Sequence, residues 1–150
     1  MHIFFLLMAF VLICADSLAK YFAYVYLKPV SSIQLPIRFL NLTYVENRGA
    51  AFGILQNQKF FFFLVTALAL IVTLYYFFSL PYSKLNNIIK FCLVLIFSGT
   101  IGNFLDRIFR GYVVDFLEFT FIDFPVFNLA DVYLTVGCVL ISIILLKAKN

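Results

Sequence analysis

Polar cover is what this sequence lacks most. Of its 150 residues only 12% are charged and 65% are hydrophobic. Its mean hydropathy is +1.06. A soluble domain typically carries about half apolar and about a quarter charged residues, and a globule of this size could not be coated with so little polar surface. A water-soluble domain is thereby excluded. Disorder is excluded too, because disordered chains are poor in aromatics and this one has 21 Phe. Histidine is nearly missing: His2 is the one copy, which argues against a Ser-His-Asp triad, a Cys-His pair or an HExxH metal site. Cysteine is scarce as well. Cys14, Cys92 and Cys138 each sit in an apolar run without CxxC spacing, so they read as small buried hydrophobes rather than a disulfide framework or a zinc site. The net charge is +4, but no basic run exists, and no nucleic-acid partner is expected.

What is present is long apolar runs. A bilayer core about 30 Å thick needs about 20 apolar residues in a helix. Four segments meet this, at about 3–22, 60–78, 88–105 and 126–146, and the chain 1–150 reads as one small membrane domain. The first run has no Lys/Arg-rich leader, carries Asp16 and lacks a small-x-small cleavage site, so it reads as a retained helix. The long connection 23–59 is punctuated by Pro29, Pro36 and Gly49. Residues 33–40 alternate as a strand would, and 42–45 are β-prone, which predicts a small sheet outside the membrane at about 30–55.

Four spans must alternate in direction, so the acids can be placed. Asp16, Glu46, Asp106, Asp115, Glu118, Asp123 and Asp131 all fall on one side, and they are all seven acidic residues of the chain. The other side holds only Lys84, Lys90, Lys147 and Lys149. Spanning a bilayer does not require this segregation, which points to one carboxylate-rich site at one membrane face. The positive-inside rule bears on which side this is. Lys20, Lys28, Arg38, Arg48, Lys59, Arg107 and Arg110 share the acid-rich side, and taken literally they place that side in the cytoplasm.

An ionisable group in a membrane helix costs about 2.5–3.5 kcal/mol on insertion scales and usually marks a site or is paired. Asp131 lies about five residues into its span, roughly 7 Å deep. Asp16 is at similar depth, and an ion pair with Lys20 at i,i+4 would explain it structurally. In the third span Gly99, Asn103 and Arg107 recur at i,i+4, with Gly102 and Asp106 one position away. Helix packing explains the glycines but not Asn103, Asp106 and Arg107 together. Asn128, three residues before Asp131, has a plain reading as a helix cap. Asp115 lies in a segment too short and polar to span, and its apolar flanks should raise its pKa. Hydrolysis without His or metal remains open to two carboxylates sharing a water, one ionised and one protonated. The candidates are Asp16, Asp106, Asp115 and Asp131, and spacing alone does not choose the pair.

The motifs then become recognisable. Asn47-Arg48-Gly49-Ala50-Ala51-Phe52-Gly53, Gly99-Thr100-Ile101-Gly102-Asn103-Phe104-Leu105-Asp106-Arg107, Gly111-Tyr112-Val113-Val114-Asp115-Phe116 and Phe127-Asn128-Leu129-Ala130-Asp131 resemble, in order and spacing, the blocks of the bacterial lipoprotein signal peptidase (signal peptidase II) family. Asp16 through Lys20 is similar to its first element, with Ala19 in place of the usual Thr. Ser98 stands where a further Gly is common. The resemblance implies four transmembrane helices with a small extracytoplasmic β-sheet and a catalytic pair Asp115 and Asp131. Asn47, Gly49, Asn103, Arg107 and Asn128 would line the substrate site, with Asp16, Lys20 and Asp106 in support.

It also implies an aspartic endopeptidase of the bacterial cytoplasmic (inner) membrane that removes the signal peptide of a lipidated prolipoprotein just before the modified cysteine. The site would face outward and both termini the cytoplasm. No metal or nucleotide cofactor is implied, membrane lipid is the surrounding partner, and the chain is expected to act as a monomer. The rival from another class is a small proton-coupled transporter, which predicts a pseudo-repeat between the halves; the halves carry different motifs.

Overall fold

A computed structural model describes residues 2–49 and 58–148. Its elements are α1 (His2–Phe22), β1 (Ser32–Gln34), β2 (Leu40–Asn47), α2 (Lys59–Ser79), α3 (Lys84–Phe109), β3 (Val113–Phe119) and α4 (Leu129–Ala148). All four helices are long and apolar enough to cross a membrane.

Their ends follow local chemistry. Pro81 closes off α2, and Ser83 caps α3 by accepting a hydrogen bond from the Asn86 amide at 3.1 Å. Gly111, at φ 79°, takes the left-handed position just past α3 and turns the chain into β3. α1 does not stop at 22; a π-helical turn, Ala23–Leu27, carries it further. Helix α3 also overruns the expected 88–105 at both ends. α4 starts later than 126, because Phe127 is bridged to Leu117 and Asn128 is occupied as the cap.

α3 is the centre of the bundle. It packs against each of the other helices and is half buried along its length, whereas the others turn most of their surface outward. A helix surrounded in this way needs small residues where neighbours approach. A Cβ on Gly99 would strike the Ala130 carbonyl oxygen, and one on Gly102 would strike the Asp16 carboxylate. Ser98 is fully buried, and its hydroxyl is satisfied by the Val94 carbonyl at 2.7 Å, so the extra atom there is accommodated.

The sheet is three-stranded and antiparallel, in the order β1-β2-β3. The expected sheet at 30–55 needs correction. Its first two strands lie there, but the third is β3, the segment read from sequence as merely too short to span. Arg48 and Gly49 are in no strand, and positions 50–55 lie outside the described residues. β2 has two edges to satisfy; β1 covers one, and the apolar run Val113-Val114 opening β3 brings the other partner. A bulge between Leu42 and Val45 gives β2 one residue more than β3 has between Leu117 and Asp115. Val114 and Phe116 then pack on Ala23 and Leu27, with Ala19, Leu42 and Tyr44 around them, which docks the sheet on the end of α1.

Candidate active site

The polar centre starts at Lys20, which is 1% exposed. A cation so enclosed must be paired. Its ammonium meets Asp16 at 2.8 Å and Asp106 at 3.3 Å and donates to Asn103 Oδ1 at 2.9 Å. The i,i+4 ion pair of Asp16 and Lys20 is therefore present, but as one part of a larger network. Asp16 also accepts from the Ala130 amide at 2.9 Å, fastening α1 to the start of α4. Asp106 accepts from the Val114 amide at 3.1 Å and pairs with Arg110 at 3.4 Å, fastening α3 to β3.

Since Lys20 fills one side of Asn103 Oδ1, the amide nitrogen of Asn103 must point the other way. It donates to Asp131 Oδ1 at 2.7 Å. Asn128 and Asp131 form a reciprocal cap at the N-terminus of α4: the Asp131 amide donates to Asn128 Oδ1 at 3.0 Å and the Asn128 amide to Asp131 Oδ2 at 3.2 Å. The plain cap reading of Asn128 is thus correct, and incomplete. Its side-chain nitrogen also donates to Asp115 Oδ1 at 2.5 Å and to Asn103 Oδ1 at 3.2 Å. Asn47 Nδ2 holds the other Asp115 oxygen at 2.9 Å. It does so from across the sheet: Asn47 pairs with Val113, so Asp115 is its diagonal neighbour on the same face.

Asp115 is 2% exposed. Burial, and then the neighbouring Asp131, push its pKa up to about 7, against the hydrogen bonds from Asn47 and Asn128. Both carboxylates line a cleft of about 420 Å³, with Asn47, Gly49, Asn103 and Arg107 beside them. Arg107 donates to the Asn103 and Gly49 carbonyls, both at 3.3 Å, and lies over the Phe62 ring. The Gly49 amide donates to Asn47 Oδ1 at 2.9 Å. Of the residues expected from the sequence, Asn47, Gly49, Asn103, Arg107, Asp115 and Asp131 line this cleft, whereas Asn128, fully buried, does not line it and lies behind it with Asp16, Lys20 and Asp106. Positions 50–53 of the first block lie outside the described residues.

Of the cleft walls, an apolar surround that includes Phe127 is expected from the sequence, but sequence reasoning missed Phe119, Phe124, Val132, Thr135 and Val136. Thr135 carried a signal, one helical turn beyond Asp131. Reasoning also missed an outer cluster. Lys28 donates to Glu46 Oε1 at 2.9 Å, and Arg48 approaches Glu46 Oε2 at 3.4 Å. The Lys28 hydrogen bond holds the Glu46 pKa down, and Glu46 holds that of Lys28 up.

Four spans, a small sheet on their ends and a shielded carboxylate cleft define a multi-pass membrane enzyme. The family model for signal peptidase (SPase) II matches residues 8–147. A lipoprotein signal peptidase of Caldanaerobacter subterraneus is 45% identical over 87% of this chain and 88% of that protein. One from Streptococcus pyogenes serotype M5 is 39% identical over 97% of this chain and 95% of that protein. A solved structure described as a bacterial membrane enzyme superposes with TM-score 0.89 at 38% identity, covering 97% of this chain and 89% of its own. The chain belongs to the signal peptidase II family, and is a membrane protease of lipoprotein processing. The transporter reading finds no support.

Proposed function

We propose that the chain is an aspartic endopeptidase in which Asp115 and Asp131 share one water and cut a prolipoprotein just before its diacylglyceryl-modified cysteine. One observation carries the reading: two carboxylates from different elements enter one cleft, each held by one amide of the hydrogen-bonded Asn103–Asn128 pair. Asp115, with its raised pKa, is the acid. Asp131 takes a proton from the water as oxygen bonds to the carbonyl carbon, and Asp115 gives its proton to the carbonyl oxygen. The tetrahedral diol then returns a hydroxyl proton to Asp115 while Asp131 protonates the leaving nitrogen and the C–N bond breaks. The starting protonation states are restored. Arg107, Gly49 and Asn47 hold the substrate backbone, and the apolar walls keep the site dry.

The acid-rich end faces away from the cytoplasm of the inner membrane, with both termini inside and the chain acting as a monomer. Support comes from where the cations on that end go. Lys20, Lys28, Arg48 and Arg110 pair with acids there, and Arg107 serves the Gly49 carbonyl. Such cations are structural, so a topology count should leave them out. The test is cleavage of a diacylated precursor by purified variants. Asp115→Asn and Asp131→Asn should each abolish turnover while the protein stays monodisperse and helical. Turnover by either at the normal rate would end the assignment.

A further inference from the structure

One apolar surface lies outside the bundle. The turn between β1 and β2 exposes Ile37 (46%) and Phe39 (57%), and the loop after β3 exposes Phe121 (65%), Ile122 (48%) and Phe124 (46%). These are one surface, not two. Thr120 donates from its amide to the Phe39 carbonyl at 3.3 Å and from its hydroxyl to the Arg38 carbonyl at 2.5 Å. Behind the tip the rings interlock: Phe119 lies 5.4 Å from Phe121, 5.8 Å from Phe124 and 4.9 Å from Phe127.

We infer that this aromatic lip inserts into the lipid leaflet that borders the cleft. The occupant follows from continuity. Phe119, Phe124 and Phe127 line the cleft together with Val132, Thr135 and Val136 of α4, a spanning helix on which Val136 is also exposed. The lip therefore carries on, through the residues that line the cleft, the apolar surface that α4 presents to the bilayer. In water this patch would be left uncovered at a hydrophobic cost, whereas lipid removes it. Charge sets the depth. Arg38 sits between Ile37 and Phe39, and Asp123 between Ile122 and Phe124, all exposed. Both charges must stay with the headgroups, so the rings enter just below them and no deeper.

The inference rests on the spanning helices and not on the assignment of the two carboxylates. Because the chain has no tryptophan, Phe121→Trp and, separately, Ile37→Trp each give a single tryptophan that can be excited selectively over tyrosine. The probe is the full chain reconstituted into phosphatidylcholine vesicles whose acyl chains carry bromine near the headgroup end or near the methyl end. Blue-shifted emission is expected at both positions, quenched several-fold more by the shallow bromines than by the deep ones. Solvent-like emission quenched by iodide would overturn the inference. So would blue-shifted emission untouched by bromine, which would place the lip against a second copy. Bromine quenching that appears only after a lipidated precursor is added would also overturn it, since the substrate would then be the occupant.

Discussion

Asn47 reaches Asp115 because a bulge in β2 resets which of its side chains share a face with β3. That hydrogen bond favours the ionised carboxyl, while burial and Asp131 favour the protonated one, and the balance falls at about 7. If Asp115 is the acid, its proton is required, so kcat/KM should fall as pH rises through about 7. Removing the Asn47 amide takes away a contribution that lowers the pKa. Asn47→Ala should therefore move the alkaline limb of the profile to higher pH, beyond any uniform loss of rate. A pH–rate series on a lipidated precursor checks this; a limb that stays in place or moves down would show that Asp115 does not set it. Lys20 acts at the same scale, by fixing which way the Asn103 amide points.

At the scale of elements, α3 carries the arrangement. Gly102 lets the Asp16 carboxylate lie against it while Asp16 reaches the Ala130 amide. Gly102→Ala should cost about 1–3 kcal/mol through overpacking and lower the unfolding temperature in detergent; an unchanged midpoint would mean that α1 shifts freely. This crowding explains what was legible beforehand. Four spans were readable because long apolar runs with few charges have one stable outcome. The polar stripe from Gly99 to Arg107 was readable because helix periodicity is local. β3 was not, since Val113–Phe119 becomes a strand only by pairing with β2 far away in sequence, and the Asn47–Asp115 and Lys20–Asn103 bonds depend on such long-range pairing. The choice of Asp115 and Asp131 among four candidates came from family resemblance, whereas their meeting in one cleft came from the fold.

The whole molecule separates two chemistries along its long axis. At one end lie the sheet and the site, where Asp16, Asp106, Asp115 and Asp131 are joined by Lys20, Asn103 and Asn128. At the other end Lys90, 1% exposed, rests over the Tyr82 ring at 4.0 Å and near Phe77 at 5.2 Å, so its charge is met by aromatic faces. A substrate anchored by a signal helix and acyl chains must present its bond near a membrane surface, and water must arrive from the same side. The proposed orientation makes that side the outer one, and labelling can decide it. In a cysteine-free background, a cysteine replacing Pro36 in the β1–β2 turn should react with a membrane-impermeant maleimide in intact spheroplasts. A cysteine replacing Lys84, at the start of α3, should react only after permeabilisation. The reverse pattern would put the carboxylates in the cytoplasm, as the plain count of basic residues has it, and the paired cations would then be topology signals after all.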